Sequence, residues 1–215
     1  MYRKKFLPKL LIASVLVGGI NFVPAVVNFN TENVYVSKVY AATNEEIAKQ
    51  KFEDGVKLWE KEDYQNAMLK FNEAIKIEPN YEAAYVGRGM SYFKSKNYQQ
   101  AISDFTQAIK LNSNEAGAYI WRGMTYKELK NYDQAIKDYT QVIKLDPNIA
   151  VAYSCRGDCY EELKKYEQAI KDFTQAIKLD PKDPDAYKYR GDCYEALGQY
   201  EKAEADFAKA KRLGW

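Results

Sequence analysis

Small and aromatic residues recur at helical spacing along residues 48–215. One run has intervals of four and three residues: Tyr85, Gly89 and Tyr92. A second run repeats these intervals: Ala101, Phe105 and Ala108. Such spacing places each set on one face of a helix. The polar stretch KSKN at 94–97 separates the two runs. The pattern therefore predicts two amphipathic helices joined by a short turn.

The helix pair belongs to a longer repeat. Nearly the same thirteen residues occur at 101–113, 135–147 and 169–181, so successive copies start 34 residues apart. A constant period of this size is typical of a stacked repeat array. Alignment extends the period to five units, which span residues 48–81, 82–115, 116–149, 150–183 and 184–215.

Three positions of the unit keep one type of residue in all five copies. Position 8 is glycine: Gly55, Gly89, Gly123, Gly157 and Gly191. Position 20 is alanine: Ala67, Ala101, Ala135, Ala169 and Ala203. Position 24 is aromatic: Phe71, Phe105, Tyr139, Phe173 and Phe207. We expect the small residues to let the paired helices approach closely, with aromatic rings filling the space around them.

This pattern resembles the tetratricopeptide repeat family. The resemblance rests on Gly, Tyr, Ala, an aromatic residue, Ala and Pro at positions 8, 11, 20, 24, 27 and 32, and it covers residues 48–215. The first unit departs most, because Lys51 and Leu58 replace aromatic residues. The resemblance implies an all-α, right-handed α-solenoid of five helix-turn-helix repeats. It also implies a concave face, lined by the first helix of each pair, that binds a protein or peptide.

Positions 7 and 23 carry opposite charges in every unit, and their signs are exchanged in unit one. An exchange that preserves opposite charge predicts contact between the two positions. The expected pairs join the first helix to the second: Asp54–Lys70, Arg88–Asp104, Arg122–Asp138, Arg156–Asp172 and Arg190–Asp206. The alternative is an arginine stripe that binds phosphate or carboxylate ligands.

Both ends of the array carry a signal. Positions 21 and 28 are apolar in units one to four but are Glu204 and Lys211 in unit five. Because terminal repeats of a stack are polar on their outer face, we expect the last helix to act as a built-in cap. At the other end, Thr43 and Glu46 predict a capping box within an N-cap segment at residues 42–47.

The groove predicted by the resemblance lies along positions 5, 9 and 12 of the first helices. Its apolar half is in units one to three: Phe52, Val56, Trp59, Val86, Met90, Phe93, Ile120, Trp121 and Met124. Its acidic half is in units four and five: Asp158, Glu161, Glu162, Asp192 and Glu195. We expect the first half to contact apolar side chains of a ligand and the second half to contact Lys or Arg.

Two other interpretations of the groove follow from the same residues. The apolar half could pack against residues 28–47 or a second copy of the chain, with the acidic half merely solvated. A homo-oligomer therefore remains open. The basic clamp that the family uses for a C-terminal carboxylate is not expected, because other residues stand at its places: Phe52, Val56, Met90, Gly117 and Trp121.

Composition argues against catalysis and against nucleic acid. Residues 42–215 hold 27 basic and 29 acidic residues with no basic block, so a nucleic-acid partner is not expected. The chain has no histidine, no Gly-rich phosphate loop and no metal-ligand cluster. We therefore predict a protein that is not an enzyme and has no cofactor or metal. The three cysteines are expected to be packing residues: Cys155, Cys159 and Cys193.

Residues 1–41 predict a signal peptide or a membrane anchor. The basic start MYRKKFLPK precedes the apolar stretch LLIASVLVGGINFVPAVV, and Val39 and Ala41 suit a cleavage site. A cut after Ala25 is a second option. If the segment is retained, residues 6–27 could span a bilayer. The chain is thus expected to be an exported scaffold, secreted, periplasmic or associated with the envelope. The alternative is a membrane-anchored structural component of an envelope assembly complex.

Overall fold

The computed structural model describes the backbone of residues 32–215 and the side chains of residues 43–215. The described part contains ten α-helices and no strand. They are α1 Glu32–Glu60, α2 Tyr64–Ile77, α3 Glu82–Lys94, α4 Tyr98–Leu111, α5 Ala116–Glu128, α6 Tyr132–Leu145, α7 Ala150–Glu162, α8 Tyr166–Leu179, α9 Pro184–Ala196 and α10 Tyr200–Leu213. Residues 43–215 form one compact unit.

Residues 43–215 form the predicted α-solenoid of five helix pairs. The odd-numbered helices are the first helices of the pairs, and each second helix begins at the tyrosine of position 17. Each helix from α2 onward packs against the next one in the chain. First helices of neighbouring pairs also touch: α3 with α5, α5 with α7, and α7 with α9. Together the first helices make one continuous face.

The start of the first helix differs from the sequence prediction. The segment 42–47 lies inside α1, which begins at Glu32, so Thr43 is not an N-cap residue and the predicted capping box is wrong. Residues 32–42 contain neither proline nor glycine, and nothing in their backbone chemistry stops a helix there.

The predicted cleavage option at Ala25 and the predicted span at 6–27 lie outside the described residues. Within residues 32–215, no helix combines the length and apolar character needed to cross a membrane.

Tight turns separate the two helices of each repeat. The residue at position 15 has a left-handed backbone conformation in all five units: Glu62, Lys96, Lys130, Lys164 and Gly198. A side chain in this conformation costs about 1–2 kcal/mol. The turn is closed by backbone bonds such as Asn97 N–H to the Tyr92 carbonyl at 2.8 Å. Only unit five has the residue that adopts this conformation without strain.

A second type of turn joins one repeat to the next. After each second helix of the first four units, the residue at position 31 is extended and its side chain accepts a bond from the backbone N–H two residues on, as Asp146 does from Asn148 at 2.9 Å. In units two, four and five, which follow a proline, the tyrosine at position 4 donates its hydroxyl to the carbonyl of that proline. Tyr85 reaches Pro79 at 3.2 Å, and Tyr153 reaches Pro147 at 3.3 Å. These bonds connect the start of one repeat to the end of the repeat before it.

The core runs along the repeats as a row of aromatic rings set against glycine. Phe105 has no exposed surface, and a Cβ added to Gly89 would lie 2.7 Å from its ring. That distance is shorter than real Cβ contacts, so only glycine permits this separation of α3 and α4. In α10, the side chains of Glu204 and Lys211 are exposed.

Candidate ligand-binding groove

The arginines of position 7 face the repeat interior. In units two to five, Nε and Nη2 donate to the two carboxylate oxygens of the Asp at position 23, at 2.7–2.9 Å. The structure thus brings together four of the predicted pairs: Arg88–Asp104, Arg122–Asp138, Arg156–Asp172 and Arg190–Asp206. All four carboxylates are buried, so the pairs join α3 to α4, α5 to α6, α7 to α8 and α9 to α10 away from water.

Each of these arginines makes a third bond that the sequence prediction missed. Its Nη1 donates to the residue at position 25 of the preceding unit. The acceptors are Asn72 at 2.8 Å, Thr106 at 3.0 Å, Thr140 at 3.0 Å and Thr174 at 3.1 Å. Unit five has Ala208 at this position, where no arginine follows. The recurrence of Thr and its loss in the last unit were the available signal. The guanidinium groups are therefore used within the array, which argues against a ligand-binding arginine stripe.

The fifth predicted pair is wrong. Asp54 and Lys70 do not form an ion pair in the described structure. Lys70 Nζ lies 3.1 Å from a carboxylate oxygen of Glu73, and Lys51 Nζ lies 2.8 Å from the other. Asp54 accepts a bond from Gln50 instead, at 3.0 Å. The reason is the departure of unit one at position 4, because a lysine there draws Glu73 toward α1.

Five of the apolar groove residues line one cavity between α1 and α3. It has a volume of about 440 Å³, with Phe52, Val56 and Trp59 on one wall and Val86 and Met90 on the other. The remaining lining residues, which complete this α1–α3 pocket, are Glu60, Phe71, Glu82, Ala83, Gly87 and Glu115. Clefts of this size and apolar character are typical of ligand sites.

The other four apolar residues lie further along the stripe and contribute to packing. Phe93 meets Trp121 edge-on at 5.5 Å between ring centroids, and Trp121 stacks on Phe105 at 6.5 Å. Met124 packs against the core around Tyr139. Ile120 is partly buried. The apolar half is therefore open at the α1–α3 pocket and largely filled by its own side chains in unit three.

The acidic half is gathered on α7 and α9 but is partly neutralised. Asp158 accepts a bond from Lys127 at 2.6 Å, and Asp192 lies 2.6 Å from Lys188. Lys127 was missed, although it occupies position 12 and so belongs to the predicted stripe. Glu162 accepts from the Tyr132 hydroxyl at 3.0 Å.

Two acidic side chains of this half, Glu161 and Asp158, lie in surroundings that disfavour their ionised forms. Burial, together with the nearby charges of Asp192 and Asp158, raises the pKa of Glu161 to about 7. One carboxylate oxygen of Asp158 is buried without a hydrogen-bond partner among the described residues. Burial also raises the pKa of Asp158, although Lys127 opposes this. A cation brought by a ligand would favour the ionised form of both groups. Glu195, on the same face of α9, is exposed.

The cysteines show no sign of reactivity. Cys159 and Cys193 are fully buried and Cys155 partly so, and all three are free thiols. Burial raises the pKa of Cys159 and of Cys193 to about 12, which disfavours the reactive thiolate. Cys159 packs against Tyr139, and Cys193 packs against Phe173. Within the part of the chain that the structure describes, no three Cys, Asp or Glu side chains are grouped to hold a metal ion.

Comparison with known proteins agrees with the helix pairs. Two family models described as tetratricopeptide repeat match the chain, one at residues 82–115, 116–149 and 150–183 and the other at 173–205. Together they cover more than half of the chain. No curated protein matches it.

Several solved structures are similar to this chain. A crystal structure of MamA is 25% identical with a TM-score of 0.70, and the match covers 74% of this chain and 93% of that one. MamA from Desulfovibrio magneticus RS-1 is 22% identical with a TM-score of 0.73, covering 77% and 94%. YrrB, described as a TPR protein with an unusual peptide-binding site, is 21% identical with a TM-score of 0.68, covering 80% and 89%.

Proposed function

Because the chain belongs to the tetratricopeptide repeat family, we propose that it is an exported scaffold that binds a protein or peptide along its first helices. One observation carries this proposal. Positions 5, 9 and 12 of those helices present an open apolar pocket at α1 and α3 and an acidic cluster at α7 and α9. A ligand lying along this face would contact apolar surface at α1 and α3 and negatively charged side chains at α7 and α9.

The apolar half supplies most of the affinity in this proposal. Burying one large apolar side chain contributes about 1.5–3 kcal/mol relative to leaving it in water. The pocket walls are already held by ring contacts, such as Phe52 with Phe71 at 5.6 Å and Trp59 with Tyr64 at 6.0 Å between centroids. Preformed walls lower the ordering cost that the ligand has to offset.

The acidic half supplies orientation and attraction at long range. Glu162 and Glu195 are exposed, whereas Asp158 and Asp192 are already paired with Lys127 and Lys188. We therefore expect the unpaired carboxylates to attract Lys or Arg of the ligand. Such attraction speeds association and weakens as salt increases, whereas apolar contacts govern dissociation.

Export is the second part of the proposal, and it rests on the basic start and apolar stretch of residues 1–41. Fractionation of cells that produce the full chain tests it. A shortened chain in an extracytoplasmic soluble fraction supports export with cleavage. An intact N-terminus in the membrane fraction would favour the anchored envelope component, and cytoplasmic protein would contradict both.

Binding is tested by capturing a partner from the envelope extract of the source organism and measuring its affinity for variants. Met90→Asp places a charge on the pocket wall and should weaken binding about tenfold or more. Glu162→Lys with Glu195→Lys should weaken it and flatten its salt dependence. Glu167→Lys with Glu201→Lys is the matched control, because both residues are exposed on second helices. If the folded variants bind as the parent does, the groove is not the binding site.

A further inference from the structure

Comparison of the repeats with one another explains why the α1–α3 pocket is open. Position 6 of a first helix faces the position 24 ring of the preceding unit. In unit three, Trp121 stacks on Phe105, with centroids 6.5 Å apart and planes at 19°. In unit five, Tyr189 stacks on Phe173 at 6.0 Å and 22°. Units three and five thus fill the place between neighbouring first helices with their own ring, whereas unit four has the smaller side chain of Cys155 there, packed against the cluster around Tyr139.

Unit two has no side chain at this place. Its position 6 is Gly87, and a Cβ added there would lie 2.7 Å from the ring of Phe71. The backbone of α3 therefore lies against Phe71 directly. The space beside this backbone is equivalent to the space that the Trp121 ring fills in unit three. In unit two it is part of the 440 Å³ cavity. The pocket is thus open because position 6 of unit two has no side chain to fill it.

The wall of this pocket on α1 is held by ring contacts with the protein's own side chains. Phe52 lies 5.6 Å from Phe71 and 5.2 Å from Tyr81 between ring centroids, so the wall on α1 does not depend on a ligand. On the same helix, Nε1 of Trp59 is buried without a hydrogen-bond partner among the described residues. A ligand carbonyl that reached this nitrogen would supply the missing acceptor.

Negative charge surrounds the pocket without a matching cation. Three of its lining residues are acidic, namely Glu60, Glu82 and Glu115, and none of them has an ion-pair partner in the described part of the chain. Burial raises the pKa of Glu82, and the nearby charge of Glu115 raises it further. Glu115 also caps α5 by accepting from Gly117 N–H at 3.0 Å, which holds its carboxylate in place.

We propose that the α1–α3 pocket binds one bulky apolar side chain of a partner polypeptide, aromatic or long aliphatic, with a Lys or Arg within one or two residues of it. This assignment rests on the proposed function and names the part of the ligand that the groove recognises first. The apolar side chain takes the place that Trp121 and Tyr189 take in their own units. The neighbouring cation lies beside Glu82 and Glu115, whose charges repel each other in its absence.

The test uses the full chain and a positional-scanning library of N-acetylated octapeptides with amidated C-termini, so that no terminal charge contributes. We expect the bound fraction to be enriched in Phe, Trp, Leu or Met at one position and in Lys or Arg beside it. Affinity is then measured for one enriched peptide and for its analogue with Ala at the apolar position. The analogue should bind about tenfold weaker or more.

Paired variants locate the site. Ala83→Trp fills the pocket and should weaken the enriched peptide about tenfold or more. Its control is Val151→Trp, because Val151 holds the same position 2 in unit four and is exposed outside the pocket.

Glu82→Gln with Glu115→Gln should lower affinity about twofold to fivefold and reduce its salt dependence. Glu115→Gln retains an oxygen for the α5 cap. The control, Glu128→Gln with Glu201→Gln, removes two exposed charges elsewhere.

The outcomes separate this assignment from the proposed function. Loss with Ala83→Trp but not with Val151→Trp supports the pocket. Enrichment of basic residues alone, lost only with Glu162→Lys and Glu195→Lys, overturns the pocket while leaving the groove as the binding face. A library that enriches nothing overturns the pocket assignment. If light scattering then shows a dimer that Ala83→Trp dissociates, a second copy of the chain is the occupant.

Discussion

The buried pair of Arg122 and Asp138 gives the sharpest prediction about stability. Asp138 is 4% exposed and accepts both of its bonds from Arg122, at 2.9 and 2.7 Å. Replacing Arg122 with Met leaves this carboxylate without a partner. Removing one member of a buried pair costs about 3–5 kcal/mol. The bond to Thr106 at 3.0 Å is also lost, which adds about 1 kcal/mol.

We expect Arg122→Met to lower the free energy of unfolding by about 3 kcal/mol or more. The double variant Arg122→Met with Asp138→Leu should recover most of this loss, because apolar residues of similar volume often replace a buried pair without cost. Urea denaturation of the full chain at fixed pH and salt measures both values. Lys70→Met is the control, because its partner Glu73 is half-exposed and such pairs contribute about 0–1 kcal/mol.

The reasoning would be refuted by either of two results. One is an Arg122→Met variant that loses no more stability than Lys70→Met. The other is a double variant as unstable as the single one, since that would assign the loss to the arginine's packing and its Thr106 bond rather than to the abandoned carboxylate. Both results are read from the same denaturation curves.

Three further predictions concern individual residues. Gly89→Ala should lower the free energy of unfolding by about 1–3 kcal/mol in urea denaturation, since its Cβ would meet Phe105 at 2.7 Å. Lys130→Gly should leave stability unchanged or raise it by up to about 1 kcal/mol, because Lys130 has a positive φ of 56° where unit five has Gly198. Burial raises the pKa of Glu161 to about 7, so its favourable contribution is present when it is protonated and is lost as pH rises through that value. Glu161→Gln should therefore raise the melting temperature at pH 8 and leave it nearly unchanged at pH 5.

The sequence predicted the repeat register because each repeated position has a single packing role. A glycine at position 8 and an aromatic ring at position 24, such as Gly89 and Phe105, recur in every unit because paired helices at this distance leave no room for a Cβ opposite the ring. The Arg–Asp pairs were predictable for the same reason, because an arginine at position 7 and an aspartate at position 23 recur together in units two to five. Unit one was mispredicted because its own Lys51 competes for Glu73, and a single copy offers no recurrence to reveal this.

The candidate site was predictable only as a face. Helical spacing places Phe52, Met90 and Trp121 on one stripe, but it does not show which of them meet an open cavity. That depends on Gly87, whose missing side chain leaves the space open between α1 and α3. The acidic half was overestimated because Lys127, from the preceding unit, reaches Asp158. Contacts between units of different sequence are absent from the repeat pattern itself.

The most direct measurement of the central claim is photo-crosslinking of the captured partner from defined positions. A crosslinking residue is placed at Ala83 or Glu162 on first helices, and at Leu69 or Lys137, which are exposed on the second helices α2 and α6. If the groove binds the ligand, the partner is crosslinked from Ala83 and Glu162 and not from Leu69 or Lys137. Crosslinks confined to Leu69 and Lys137 would contradict the groove and place the interface on the outer face of the solenoid.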